Sequence, residues 1–355
     1  MAGDGIGLEM VADRSYVRAT FLMRFLSLAA ITAIPIMLRS NHFTATQIGI
    51  FSAAIWLGSG VGTIVSLVRP ISLWKASLLG FGLTAFSFAA LSQVAWLGFF
   101  LALGFGLSMV EVPSLDAAGH SGSAGIFSYY ASLGLATLVA SLALPLVLYA
   151  GSAAALLILS AASLFGFPIS KVESSRKPFS FSHVMVFKQK YVNLFAYGLL
   201  VYMAYNFVTT FFGVRLVDLG YPAWLSQGSF ILLFLGSFVT RVLHPVQLID
   251  LRRLVGISLV STLALLLPMP LPLFGLIGLG ISHGLFPVTV SLQVASEEAA
   301  DFAVMNVMVL SSTGFASFLA PLLGGYCIAG LGFAGSLALF SAFLAPALVA
   351  RRVGL

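Results

Sequence analysis

Polar and apolar residues do not alternate along this chain; they come in blocks. Apolar stretches of about twenty residues are set off by charged residues and by clusters of Pro and Gly. A strand crossing a bilayer alternates apolar and polar positions over about ten residues, so these blocks read as helices. About twenty apolar residues is also the length a helix needs to cross the hydrocarbon. The breaks predict twelve spans, near 17–38, 46–67, 72–91, 95–113, 124–148, 152–170, 192–213, 223–243, 252–268, 271–293, 303–327 and 331–350. The ninth is short and runs into Leu-Pro-Met-Pro-Leu-Pro; the fourth carries Glu111 at its inner end. The expected fold class is therefore an all-α polytopic membrane protein with 12 transmembrane helices.

Composition agrees with this reading. Of 355 residues, 60% are hydrophobic and only 8% charged, against a soluble norm of roughly 45–50% and about 25%. That much apolar surface, with 31 Phe, must face lipid. Twelve spans leave about nine residues for each connecting or terminal segment, too few for a large extramembrane catalytic domain. The lead MAGDGIGLEMVAD is acidic and offers no small-residue cleavage site, so the first span reads as a retained helix.

Charge placement orients the chain. With the N-terminus in the cytoplasm, fourteen basic residues fall inside and only Arg39 and Arg215 outside, the asymmetry expected when Lys and Arg collect in cytoplasmic loops. Both termini are expected in the cytoplasm and the protein in the cell membrane. The net charge of +6 then reflects those loops and implies no nucleic acid. Cys327 is the single cysteine, so an intramolecular disulfide and a Cys-rich metal site are excluded. No cofactor or metal is expected, and the chain is expected to be a monomer.

One polar segment, 171–190, carries five basic residues and one acid near the middle of the chain. It divides the protein into an N-terminal six-helix bundle (1–170), a cytoplasmic linker (171–190) and a C-terminal six-helix bundle (191–355). The halves resemble each other. GFGLSMVEVP at 104–113 aligns with GLGISHGLFP at 278–287, Pro145-Leu146 recurs as Pro321-Leu322, and Arg69-Pro70 is echoed by His244-Pro245. An internal duplication follows.

RFLSLAAITAIPIMLRSNHFTATQIGIFSAAIWLGSGVG (24–62) resembles the first two helices of the major facilitator superfamily of secondary transporters, and STGFASFLAPLLGGYCIAGLGF (312–333) resembles its eleventh. The family's signature loop between helices two and three is degraded here to GTIVSLVRPISLWK, in which Arg69 and Lys75 survive and the Asp is missing. The resemblance implies two pseudo-symmetric six-helix bundles around a central cavity lined by helices 1, 4, 7 and 10. It also implies alternating access to that cavity by rocking of the halves, with the site near the midplane.

Ionisable groups within the hydrocarbon are costly and therefore functional candidates. Arg24 lies about 10 Å into the first span at 1.5 Å per residue, and Glu111 reaches a matching depth if the fourth helix continues through Pro113 towards Asp116. An Arg24–Glu111 pair facing the cavity is expected. Tyr202, Tyr205 and Asn206 of the seventh span and His283 of the tenth complete the expected substrate and coupling set, Glu111 and His283 being the candidates for proton coupling. The substrate is expected to be a small solute. A cytoplasmic gate is expected between the basic residues Arg69, Lys75, Arg241, Arg252 and Arg253 and the acidic residues Asp116, Glu297, Glu298 and Asp301. Two other readings exist: a receptor or assembly protein on the same fold that no longer transports, and an intramembrane hydrolase using Ser282 of GISHG, which matches G-x-S-x-G. The hydrolase reading is weak because His283 projects about 100° away from Ser282 on a helix. No phosphate-binding G-x-x-x-x-G-K stretch occurs, so ATP is not the energy source.

Overall fold

The structure is a computed structural model that describes residues 15–120, 122–167, 179–242, 251–268, 271–297 and 301–345. Twelve helical elements follow in order. They are α1 (Ser15–Ser40), α2 (Ala45–Val68), α3 (Leu73–Leu91), α4 (Leu97–His120), α5 (Gly122–Tyr149), α6 (Ser152–Leu164), α7 (Phe181–Lys190), α8 (Val192–Asp218), α9 (Ala223–Val242), α10 (Leu251–Ala264), α11 (Leu271–Glu297) and α12 (Phe302–Ala342). Nine of them are long and apolar enough to cross a membrane, and α12 accounts for two crossings. At 41 residues it would be roughly 60 Å long, twice the hydrocarbon thickness. It breaks at Gly332, whose φ of 67° lies in the left-handed region that glycine tolerates. With the shorter α6 and α10, twelve crossings are accounted for.

Several expected boundaries move. The fourth span does not stop at residue 113: α4 runs through Pro113 to His120. Likewise α11 passes through Pro287 to Glu297. A proline inside a lipid-embedded helix is tolerated where neighbouring helices and hydroxyls re-satisfy the freed backbone. The seventh span gains a turn and ends at Asp218. Part of the central linker is helical, as α7. Residues 171–178 of the linker, the His244-Pro245 pair and Glu298 lie outside the described residues.

Helix α1 carries a π-helical turn at Ala29–Ala33 just before Pro35. Proline lacks an amide hydrogen and its ring collides with the carbonyl four residues back, here Ile31. Widening that turn relieves the collision.

Two six-helix bundles pack side by side with the same internal plan. In the first, α4 packs on α2 and α3, α1 on α5, and α3 on α6; in the second, α11 packs on α9 and α10, and α8 on α12. Small residues set these approaches. A Cβ added at Gly104 would lie 1.7 Å from the Ile55 carbonyl oxygen, and one at Gly280 would lie 1.9 Å from that of Leu233. The equivalence corrects the sequence alignment. Gly104 corresponds to Gly280 and not Gly278, an offset of 176 that the Pro145–Pro321 pair also obeys. Gly106 then corresponds to Ser282, and each faces the next helix, at Gly80 and Ser258 respectively. The two-residue slip would turn the helix by about 200° and point the wrong face at each neighbour.

Between the bundles, α2 packs along the first part of α12, and α5 packs along α9. The outward surface is apolar, with Val260 at 69% and Leu146 at 75% exposure. Such patches are a liability in water and ordinary against lipid chains. The protein is an integral, multi-pass membrane protein.

Candidate functional site

Polar side chains collect where the bundles meet. Arg24 projects from α1 and its Nε is 3.5 Å from the Thr137 hydroxyl of α5. Glu111 on α4 is exposed although it lies well within the membrane-spanning part of that helix. It sits within electrostatic reach of Arg24 and of Tyr129 and Tyr130 on α5. An exposed carboxylate with charged and phenolic groups of other helices around it lines a gap between those helices. Helix continuation past Pro113 puts Glu111 within electrostatic reach of Arg24, but the two close no ion pair.

From the second bundle, the Tyr205 ring stacks on His283 with centroids 3.8 Å apart and 6° between planes. The Tyr205 hydroxyl approaches Arg24 across the interface between the bundles. Tyr202 donates to the His283 carbonyl at 3.2 Å, which ties α8 to α11. Asn206 donates to the Tyr202 carbonyl at 2.7 Å, so its amide nitrogen serves its own helix, and its side chain is buried. The His283 Nδ1 lies 3.3 Å from the Ser237 hydroxyl of α9. Ser282 faces elsewhere, hydrogen-bonded with the Ser258 hydroxyl at 2.9 Å and donating to the Leu279 carbonyl at 3.0 Å. The adjacent Ser282 and His283 therefore have different neighbours, and they form no dyad with each other.

Several members were not foreseen. Arg241, expected at a cytoplasmic gate, is instead 3% exposed, within electrostatic reach of Arg24, Tyr130, Tyr202 and Tyr205. It lies one residue from the end of α9, so on sequence it reads as a loop charge; α5 covers it because Gly134 offers no side chain there. Tyr130 bonds the Ser291 hydroxyl, which in turn donates to the Asn306 Oδ1 at 2.8 Å. That chain runs from α5 through α11 to α12, across both bundles. A serine, a tyrosine and an asparagine without charge gave no sequence signal.

The remaining gate candidates are spread around one end of the molecule, the face that also carries α7. Arg69, Lys75 and Arg253 are exposed and Arg252 is partly buried, whereas Asp116 is buried. Glu297 accepts from the Tyr191 hydroxyl at 2.9 Å. Asp301 lies 3.7 Å from the His183 Nε2 of α7. Here Phe302 covers Gly119, and Leu67, Val112 and Val304 form an apolar cluster between the bundles.

The opposite face is joined differently. Arg39, in the last turn of α1, bonds Asp218 at the end of α8. Below it Ile36 packs where Gly213 has no side chain, and the buried Gln227 donates to the Thr32 hydroxyl at 2.9 Å. Tyr149 meets Trp224 edge to face. A cavity of about 300 Å³ lies within the first bundle beside Ile34, Asn41, Phe43 and Ser152, but its lining holds no ionisable group. Among the described residues no cluster of His, Cys, Asp and Glu could hold a metal.

Solved transporters share this fold. A point mutant of the nucleoside transporter NupG superposes with a TM-score of 0.72 at 14% identity, over 95% of this chain and 99% of that one. The unmutated NupG gives 0.67 at 15%, over 95% and 96%. A POT family transporter in complex with 5-aminolevulinic acid gives 0.65 at 14%, over 94% and 93%. The fold is that of the major facilitator superfamily. Neither a family model nor a curated protein sequence matches the chain.

Proposed function

We propose that this protein is a secondary transporter that moves a small solute across the cell membrane by alternating access, with both termini in the cytoplasm. The observation that carries the reading is the set Arg24, Glu111, Tyr205, His283 and Arg241. Five groups that are expensive to hold in a membrane come from both bundles and gather where the bundles meet, Glu111 exposed and Tyr205, His283 and Arg241 buried.

The division into bundles 1–170 and 191–355 with a linker at 171–190 supplies the moving parts. Bundles rocking about the α2–α12 and α5–α9 seams would trade the two end contacts. Separating Arg39 from Asp218 opens the opposite face, and separating Phe302 from Gly119 opens the face bearing α7. The basic residues Arg69, Lys75, Arg252 and Arg253 belong to that second face, as do Asp116, Glu297 and Asp301, and they hold it shut in the outward-facing state. Glu111 is the coupling group, since it is exposed while His283 is covered by Tyr205.

Uptake into proteoliposomes from a panel of radiolabelled sugars, amino acids, nucleosides and organic anions, with and without an imposed pH gradient, tests the reading. Saturable uptake of one class, lost in Arg24→Gln, is expected. A protein that binds a solute but never moves it would instead be a receptor on a transporter fold.

A further inference from the structure

Among the described residues, Arg241 has no counter-ion that accounts for its burial. The residue is 3% exposed, and its Nε and Nη1 have no hydrogen-bond partner. An arginine stays protonated in any protein environment, so it cannot escape the cost of burial by shedding its charge. Removing the partner of a buried charge is strongly destabilising, which makes a permanently unpartnered one hard to keep. The second cation of the cluster, Arg24, is close enough to act on it. Like charges brought together in the interior raise that cost. Glu111 is the carboxylate within reach of Arg24, so the two guanidiniums and one carboxylate leave one positive charge.

We propose that Arg24 and Arg241 together bind the oxyanion group, carboxylate or phosphate, of a small organic anion, whose flat body rests against the Tyr205–His283 stack. The proposal rests on the transport reading above and names the substrate class of that same site. A singly charged anion brings the cluster to neutrality. The unused Nε and Nη1 of Arg241 lie on the two different edges of a planar guanidinium, and each can donate to an oxygen of a carboxylate or phosphate. Arg24 comes from the first bundle and Arg241 from the second, so an anion held by both also joins the bundles. That gives the empty carrier, with its repelling cations, a reason to differ from the loaded one. Tyr202 and Tyr130 lie around the same guanidinium and provide hydroxyls and ring edges without adding charge.

The test is equilibrium binding to the purified full chain in detergent, with acetate, benzoate, inorganic phosphate and phenyl phosphate as anions, and benzamide and benzylamine as neutral and cationic analogues. At least one anion is expected to bind, and benzamide and benzylamine are not. Comparing benzoate with phenyl phosphate separates carboxylate from phosphate, and comparing each with acetate or inorganic phosphate reports the contribution of the flat body. Arg241→Gln is expected to weaken anion binding at least about tenfold, the effect of losing a hydrogen bond to a charged group. Its melting temperature without ligand should be equal to or above that of the native protein. Arg241→Lys, which keeps the charge and loses the fork, should recover part of the affinity and guards against a folding defect in the first variant. Binding of benzamide as tight as benzoate, native anion affinity in Arg241→Gln, or no binding by any anion of the panel would each overturn the proposal. Saturable uptake of a neutral solute with no anion binding would overturn this inference and leave the transport reading intact. Anion binding through Arg241 without any uptake would do the reverse.

Discussion

The Arg39–Asp218 contact gives a direct measure of how the face opposite α7 is held. The two side chains are 33% and 30% exposed, so solvent screens the pair. Exposed ion pairs contribute about 0.2–1 kcal/mol. Arg39 is also fixed by donation to the Phe43 carbonyl at 2.9 Å, which lowers the entropy lost in holding the geometry and favours the upper end, about 1 kcal/mol. On the proposed alternating-access reading this contact exists only while that face is closed, so its whole worth biases the population of conformers, and about 1 kcal/mol is roughly a fivefold change in ratio. Asp218→Asn removes the attraction. Asp218→Lys replaces it with repulsion and should double the swing, to about twenty-five- or thirtyfold.

Distance distributions between spin labels report the ratio directly, with cysteines introduced at Ser40 and Tyr221, both exposed on that face, after Cys327→Ser. The closed-face peak should shrink in Asp218→Asn, shrink further in Asp218→Lys, and return in the exchanged double variant Arg39→Asp with Asp218→Arg. High salt should move the native protein in the same direction as Asp218→Asn, since the pair is screened. Identical distributions in all four proteins would refute the reasoning, and the apolar and aromatic contacts at Ile36, Gly213, Tyr149 and Trp224 would then hold the face alone.

Three other outcomes are expected. Arg24→Gln should abolish solute uptake into proteoliposomes while membrane expression and elution profile stay native; unchanged uptake would remove Arg24 from the pathway. Gly104→Ala and Gly280→Ala must each push a Cβ from under 2 Å to a normal contact against a backbone carbonyl, so each should lower thermal stability by roughly 1–3 kcal/mol. Gly60→Ala and Gly314→Ala, with open space around the added methyl, should be neutral or stabilising by up to about 1 kcal/mol, and equal melting temperatures for the two sets would contradict the close packing. Ser282→Ala should keep at least half of native uptake, and a fluorophosphonate probe should leave Ser282 unlabelled; labelling would reopen the hydrolase reading.

How much was visible in the sequence follows from what each feature depends on. Spans depend on runs of apolar residues, which are local, so their number and approximate positions could be read. Helix ends at proline could not, because Pro113 and Pro287 break a helix in water but not where neighbouring helices supply the missing bonds. That one difference moved Glu111 from the edge of a short helix to the interior of a long one. Depth, and with it the partnership with Arg24, depended on the outcome.

Register and burial depend on contacts between elements, and there composition misleads. The alignment at 104–113 matches Gly, Ser and Pro by identity, whereas the bundles are related by which small residue meets which backbone: Gly104 against Ile55, Gly280 against Leu233. Arg241 shows the same limit more sharply. Beside the basic pair Arg252 and Arg253 it reads as one more loop charge, and the positive-inside rule counts it as such. Its burial is decided about a hundred residues away, by Gly134 on α5, where any side chain would meet the Arg241 Cβ at about 3.2 Å. Phe238 and Val242 crowd the same glycine, which brings α9 against α5 and Arg241 into the interface. Hydropathy along the chain reports which residues avoid water. It cannot report which charged residue a neighbouring helix will enclose.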